Sequence, residues 1–531
     1  MPSPSLSLSE QIEALAARRP AAPAFLGAEE LSWSGYAARA RHLAGVLIGL
    51  GLAPGERVGV LLPDGPGVHA AFVAGELAGL TVVGIGPRAG PLEIRHLLGK
   101  TAARALVSRA VQGELGLEAF AAELRAQGAL RHHVVVEGEL ATADPLRVDG
   151  APVRAPDPVA TDAAIAARRL GPDDLFLLNS TSGTTGLPKC VTHDQARWIA
   201  FHELAVVAGE LSERDVFMSV VPAPFGFGIW TSHVTPVLLG APTVLLARFS
   251  AEDAIRAIEQ HRVTVLAAVS TQFVMMLNSP ALDRHDLSSL RVLFTGGEAV
   301  PESRAAEFEE RTGAKVLQFY GSNETGALSR TTTRDPRELR LSTAGRVIEA
   351  MQVRLFDEEG RDVTKGGRGI PGCRGPATSR GYYADEEANR KLFTRDGWML
   401  TGDVATLDAQ GVLRVVGRTA DFIIRGGKNV SAPAVEGAVS THPAVALAAA
   451  VAMPDEVFGE RVCVYAELRQ GRVLALDELV AHLRGRGVSK ESLPERLVVL
   501  DELPRASGGK IAKQALREDI RRRIAEEKAQ A

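Results

Sequence analysis

The chain is short of the features that would place it outside the cytoplasm or on a polyanion. It has three cysteines in 531 residues, Cys190, Cys373 and Cys463. They are far apart and match neither a disulfide framework nor a zinc site, which suits a reducing compartment. Aromatic residues are 5% and lysines are few beside arginines. Net charge is −4, so nothing in the bulk charge calls for nucleic acid or an anionic membrane surface. The longest apolar stretch, 234–247, is broken by Pro236 and Pro242 and is too short to span a bilayer. The first twenty residues lack a basic region followed by an apolar one, so no secretory signal is expected. Cytoplasmic location follows as an expectation.

What is present is an ordinary soluble composition, 46% hydrophobic and 23% charged, on a chain long enough for two or more domains. Ser7 and Glu10 form a capping-box pattern that predicts a short helix. Helical spacing at 36–50 and 68–80 alternates with buried-strand runs at 57–62, 81–85, 103–108 and 133–137. Strand signals resume at 263–269, 290–294 and 315–319. This alternation predicts an α/β fold with a mostly parallel sheet covered on both faces. The Pro/Ala-rich stretch 151–167 reads as a surface linker. Near residue 345 strands shorten and turns multiply, and Asp408-Ala-Gln-Gly411 reads as a hairpin between 404–407 and 412–416. After 421 comes a compact α+β segment ending in a charged helix beyond Lys513.

The stretch NSTSGTTGLPKCVTH (179–193) lies between two strand signals, 174–178 and 190–192. Successive backbone N–H groups in a Gly-rich turn make an anion-binding concavity. Hydroxyls add donors, and Lys189 adds a point charge suited to phosphate. The spacing is neither a Walker A loop nor a nucleophile elbow. Four later stretches carry further chemistry-bearing residues. QFYGSNETG (318–326) offers Tyr320, able to stack on a base or pack in a core, and Glu324, able to hold Mg²⁺ or lie solvated. GWMLTGD (397–403) ends in Asp403, a turn carboxylate able to accept from two vicinal hydroxyls. GRTAD (417–421) supplies Arg418 and Asp421, by default an exposed ion pair. LPRASGGKIAK (503–513) presents Lys510 after two glycines.

These five stretches, in this order, resemble the signature motifs of the adenylate-forming superfamily, which includes acyl-CoA synthetases. The likeness extends to RVGVLLPDGP (57–66) and GPATSRGYYADEEANRKLF (375–393) and covers nearly the whole chain. The resemblance implies a large N-terminal domain of layered sheets and helices with a short β-rich subdomain, residues 1–420. It implies a small mobile α+β C-terminal domain, residues 421–531, hinged at Asp421. It implies ATP, Mg²⁺ and coenzyme A as cofactor and co-substrates. A carboxylic acid would be joined to ATP as acyl-AMP, with pyrophosphate released, and then transferred to a thiol.

By the same resemblance, Thr181, Ser182, Gly183, Thr184, Thr185, Gly186 and Lys189 would wrap the β- and γ-phosphates. Gly297, Glu298 and Ala299 would line the adenine, and Tyr320 beside Gly321 would stack on it. Asn323, Glu324 and Thr325 would serve phosphate and metal. Asp403 would bind the ribose, assisted by Arg418, and Lys510 would bridge the substrate carboxylate and the α-phosphate. Gly426 and Gly427, in RGGKNV, would pass the pantetheine arm. Phe225, Phe227 and Trp230, in PAPFGFGIW, would border the acyl group. The apolar residues favour a hydrophobic monocarboxylate, medium-chain, cyclic or aryl, with Trp230 limiting chain length.

Three positions depart from the family pattern: Asn323 where Thr is usual, Gly508 where Ser or Thr is common, and Phe225 where many acyl-CoA synthetases carry His. No carrier segment follows the lysine motif, which inclines the expected acceptor to coenzyme A. A free acyl or peptidyl carrier protein is the alternative, and homodimer formation is left open. An inactive nucleotide-binding protein is a third reading, opposed by the presence of Lys189, Glu324, Asp403, Arg418 and Lys510.

Overall fold

The first helix shows how local sequence is tied into tertiary structure. Leu8–Arg18 opens with the expected capping box, Ser7 N donating to Glu10 Oε2 at 2.8 Å. Its next two free N–H groups find distant side chains, Leu8 N on Gln195 Oε1 at 2.8 Å and Ser9 N on Glu76 Oε1 at 3.0 Å. The unpaired donors of a first turn are thus met by protein rather than water.

The computed structural model describes residues 6–27, 29–141, 144–153, 157–180, 188–418, 421–425, 428–506 and 509–530. The chain divides into two compact units. The first comprises residues 1–267 and two later excursions, Ser322–Gly326 and Gly375–Phe393; the second comprises the remainder.

In the first unit an eight-stranded sheet runs in the order Ala151–Pro152, Leu146–Val148, His132–Val136, Ala105–Ser108, Arg57–Leu61, Thr81–Gly84, Leu175–Ser180, Cys190–Asp194. The five strands from His132–Val136 to Leu175–Ser180 are parallel, and the outer ones are antiparallel. Alternation of side chains along the strands gives the sheet two apolar faces. Leu61, Leu106 and Val83 pack under helices Pro91–Lys100 and Leu117–Ala126. Val82, on the other face, meets helix Pro66–Leu77, which is buried at every position; a Cβ on Gly75 would lie 2.5 Å from Val82 Cγ2. A second set of strands in this unit, Val265–Ala267, Phe217–Ser219, Thr243–Leu245 and Pro23–Gly27, is parallel throughout.

The second unit contains a parallel pair, Val292–Gly296 with Lys315–Ser322, and an antiparallel sheet of Gln352–Phe356, Arg368–Arg374, Asp403–Leu407 and Leu413–Arg418. The expected hairpin is there: Asp408 Oδ1 accepts from Gln410 N at 3.0 Å and Val412 N at 2.9 Å, and Gly411 takes φ +74. Its C-terminal part is a five-stranded sheet packed with helices Ala432–Val439 and Leu476–Gly485. The charged tail is helix Lys513–Gln530. The α/β class and the large-plus-small organisation are as expected from the sequence.

One expectation is corrected. The stretch read as a linker, 151–167, contains helix Pro158–Arg168 and the short strand Ala151–Pro152. Asp157 caps that helix by accepting from Val159 N at 2.9 Å, with Pro at the first turn. Proline there starts a helix rather than breaking one, and the alanines favour it. Ile165 is its one buried residue, so the apolar periodicity that would betray a helix is missing.

Candidate active site

The sequence-identified residues fall into two groups, one in each unit. The first unit carries the phosphate-loop flanks, the Asn323–Glu324–Thr325 turn and the acyl wall. Strands Leu175–Ser180 and Cys190–Asp194 pair antiparallel, with Ser180 opposite Cys190. Thr181, Ser182, Gly183, Thr184, Thr185 and Gly186 lie outside the described residues. Lys189 is described, and its Nζ stands 4.8 Å from the ring centroid of Tyr382. The Tyr382 hydroxyl donates to Glu324 Oε1 at 2.7 Å. Burial first, then the Glu324 charge, hold this phenol well above its ordinary range, so it remains a donor. Lysine ammonium, aromatic ring and carboxylate thus form one contiguous group. Thr325 caps the turn, its Oγ1 accepting from Ser322 N at 2.9 Å.

Tyr382 and its neighbours belong to the excursion Gly375–Phe393, which lies along the edge strand Cys190–Asp194. Tyr383 N donates to Cys190 O at 2.8 Å and Thr192 N to Gly381 O at 3.1 Å. Ser379 N donates to Glu324 O at 2.8 Å. The motif alone gives Tyr382 no role, because nothing along the chain connects it to Glu324, 58 positions away, or to Lys189, farther still.

The stretch expected to border the acyl group, the acyl wall of the sequence resemblance, begins at the loop Pro222–Phe225. It is held at two successive residues: Ala223 N donates to Asp64 Oδ1 at 2.8 Å, and Pro224 O accepts from Asn179 Nδ2 at 2.9 Å. Asp64, in the quoted RVGVLLPDGP, was likewise given no role. A π-helical turn follows, Ile229–Val234, a geometry often found at functional sites. Phe225 and Phe227 are half-buried, whereas Trp230 is 1% exposed. Trp230 packs against Phe227 at 6.0 Å and Phe201 at 5.5 Å between ring centroids. These residues form an apolar surface, with Phe225 and Phe227 on its accessible side.

The second unit carries Gly297, Glu298, Ala299, Tyr320, Gly321, Asp403, Arg418, Asp421 and Lys510. Tyr320 Oη donates to Asp403 Oδ2 at 2.8 Å and lies 3.2 Å from Thr401 Oγ1. Asp403 is opposite Arg418 in the antiparallel register, so two residues fifteen apart in sequence share one position across the sheet. Gly297, with φ +74, follows strand Val292–Gly296. Its carbonyl accepts from Lys510 Nζ at 2.7 Å, and a Cβ there would lie 2.9 Å from that ammonium. The positive φ favours glycine here, and the missing side chain leaves room for the lysine ammonium. Glu298 is turned away, accepting from Thr271 N at 3.1 Å. Asp421 takes Arg517 and lies 4.0 Å from Lys513 Nζ. With these partners Asp421 is mostly enclosed, not the exposed carboxylate expected by default. Gly426, Gly427 and Gly508 lie outside the described residues.

Comparison with known proteins shows the family and the fold. Residues 12–383 match the family model described as AMP-binding enzyme, and residues 434–510 match the AMP-binding enzyme C-terminal domain. The chain is 34% identical to the medium-chain fatty-acid–CoA ligase of Escherichia coli (strain K12), over 67% of this chain and 63% of that ligase. It is 31% identical to the 2,3-dihydroxybenzoate-AMP ligase of Bacillus subtilis (strain 168), over 92% of this chain and 88% of that enzyme. The fold is shared with the crystal structure of the anthranilate CoA ligase AuaEII in complex with anthranoyl-AMP, TM-score 0.84 at 24% identity, over 97% of both chains.

Proposed function

Given that the chain belongs to the AMP-binding enzyme family, within the adenylate-forming superfamily, we propose that it activates a hydrophobic monocarboxylic acid with ATP and transfers the acyl group to coenzyme A. The observation that carries the reading is the seating of the Lys510 ammonium on the Gly297 carbonyl, 2.7 Å away. Residues 1–420 act as the adenylation core, and residues 421–531 deliver the lysine, with Asp421 as the hinge.

In the first step a carboxylate oxygen bonds to the α-phosphorus of ATP, the α–β P–O bond breaks, and pyrophosphate leaves. An anion must approach a polyanion, so fixed positive charge dominates the barrier. Lys510 stands between the carboxylate and the α-phosphate, and Lys189 with the 181–186 hydroxyls and N–H groups holds the departing phosphates. Asp403 accepts from the ribose hydroxyls, oriented by the Tyr320 hydroxyl. In the second step a thiol sulfur bonds to the acyl carbon, the acyl C–O bond breaks, and AMP leaves, with Gly426 and Gly427 beside the pantetheine arm.

Mg²⁺ is bound through one or two carboxylates together with phosphate and water. Glu324 supplies one carboxylate, and among the described residues no three His, Cys, Asp or Glu side chains cluster into a closed metal cage. The Glu324 carboxylate fits this role: with the phosphates it would hold Mg²⁺, and the ion would neutralise phosphate charge.

The apolar wall of Phe225 and Phe227, backed by Trp230, supports a medium-chain, cyclic or aryl acid. A second acceptor, the phosphopantetheine of a separate carrier protein, is favoured by the likeness to an AMP ligase across 92% of the chain. The test is pyrophosphate release with Mg·ATP over benzoates and C6–C16 fatty acids, with and without coenzyme A. Acid-dependent release with acyl-CoA product is expected, and Trp230→Ala should extend turnover to longer chains. Release without acyl-CoA would move the acceptor to a carrier protein. No release with any acid would overturn the enzyme reading.

A further inference from the structure

Three buried side chains of the first unit form a directed chain of hydrogen bonds behind the phosphate-loop flanks. Arg197, on helix Gln195–Gly209, is 3% exposed; His193 and Asn179, on the paired strands, are 0% and 1% exposed. Arg197 Nη1 lies 2.9 Å from His193 Nδ1, His193 Nε2 lies 2.7 Å from Asn179 Oδ1, and Asn179 Nδ2 lies 2.9 Å from Pro224 O. A guanidinium can only donate. His193 Nδ1 therefore accepts, and the imidazole proton sits on Nε2. That proton goes to the Asn179 oxygen, which leaves the Asn179 NH₂ to donate to the Pro224 carbonyl. One cation thus sets the direction of every bond. Burial, reinforced by the Arg197 charge, keeps His193 neutral, well below the ordinary imidazole range.

Both ends of the chain reach functional segments. Pro224 precedes Phe225 on the acyl wall. At the other end, Arg197 Nη2 donates to Asn323 O at 2.8 Å, the carbonyl just before Glu324, and Nε donates to Ala377 O at 3.0 Å. Arg197 thereby holds both excursions, Ser322–Gly326 and Gly375–Phe393. The acyl loop also lies close to the same turn. A Cβ on Gly226 would lie 2.7 Å from Asn323 Oδ1, and 3.9 Å from the Trp198 ring that stacks on His193. The acyl loop and the Glu324 turn are therefore joined through the relay, and at Gly226 they lie too close for a side chain to stand between them.

We propose that Arg197, His193 and Asn179 are positioning residues that couple the acyl wall to the Glu324 turn, making acid and Mg·ATP binding interdependent. The proposal rests on the functional reading above. A close-packed, fully hydrogen-bonded network cannot absorb a shift at one end, so it passes the shift to the other. By linkage, the factor by which acid tightens nucleotide binding equals the factor by which nucleotide tightens acid binding.

The test is calorimetric titration of the full chain with Mg²⁺ and α,β-methylene-ATP, whose α–β bridge cannot be cleaved, with and without octanoate or benzoate. In the wild type, acid should tighten analogue binding about tenfold. Asn179→Asp keeps the shape and the acceptor for His193 but removes the donor to Pro224. It should cut the acid effect to less than about twofold, as should Arg197→Lys. Thermal melts report whether each variant is folded. Folded relay variants that retain the tenfold effect, or that weaken analogue binding equally with and without acid, would reduce the network to a structural role. A wild type that binds the analogue with no acid effect overturns the relay alone. A wild type that binds no analogue overturns the nucleotide reading itself.

Discussion

The Asp64 carboxylate keeps a small contact with solvent but is enclosed by protein, accepting from Ala223 N at 2.8 Å. Desolvation pushes its pKa up to about 6, against opposing pulls from that hydrogen bond and the Arg88 charge. A carboxyl whose folded pKa is raised binds its proton more tightly when folded. Its ionisation therefore costs stability as pH rises through the 4–6 window, and the full cost persists above it. The cost is of order 1–3 kcal/mol, the lower end reflecting the remaining water contact. Asp64→Asn retains an oxygen for Ala223 N. It should melt higher than wild type at pH 7.5, with the gap closing towards pH 4. A wild type that melts higher at pH 7.5 would mean that attraction to Arg88 outweighs desolvation. At this scale the sequence conveyed residue type but not environment. Asp64, Tyr382 and Arg197 stand in or near quoted motifs, yet Asp64 meets Ala223, Tyr382 meets Glu324 and Arg197 meets Asn323, each 58 or more positions away, and no local pattern encodes such pairings.

Among the elements, helix Leu8–Arg18 depends on partners from two others. Glu76 on helix Pro66–Leu77 and Gln195 at the start of Gln195–Gly209 accept from its first turn. Glu76 is 2% exposed, and burial raises its pKa while the Ser9 and Ser7 hydrogen bonds oppose the rise. Glu76→Ala would leave Ser9 N–H buried without an acceptor, a loss of about 1–3 kcal/mol. Limited proteolysis should then cut first between residues 1 and 30, with Glu76→Gln protected almost as well as wild type. Equal cleavage of wild type and Glu76→Ala would show that the helix is held by its apolar face instead. The capping box was readable because it is local. The anchoring was not, and helix Pro158–Arg168 was missed because its single buried residue leaves no periodicity.

For the whole molecule, the proposal divides labour between the adenylation core and the segment carrying Lys510. If Lys510 acts only where the carboxylate meets the α-phosphate, Lys510→Ala should lower acyl-AMP formation on the order of 10²–10³-fold. Transfer to coenzyme A from chemically prepared acyl-AMP should stay near wild type. Equal losses in both half-reactions would mean that Lys510 serves the fold of its loop rather than one step. The melting temperature of the variant, compared with wild type, separates those cases.

The sequence by itself determined the fold class and the family, and it singled out the motifs to which the phosphate, ribose and lysine roles are proposed. Alternating hydrophobic runs dictate a layered α/β architecture, and glycine, hydroxyl and lysine clusters are chemically specific within a few residues. Tertiary structure alone decided the rest: that Ser322–Gly326 and Gly375–Phe393 join the first unit, that Tyr382 lies between Lys189 and Glu324, and that Arg197 fixes the His193 tautomer. The physical reason is the same in each case. A buried polar group must find a partner wherever the packed chain provides one, and which partner that is depends on three-dimensional closure rather than on neighbours in sequence.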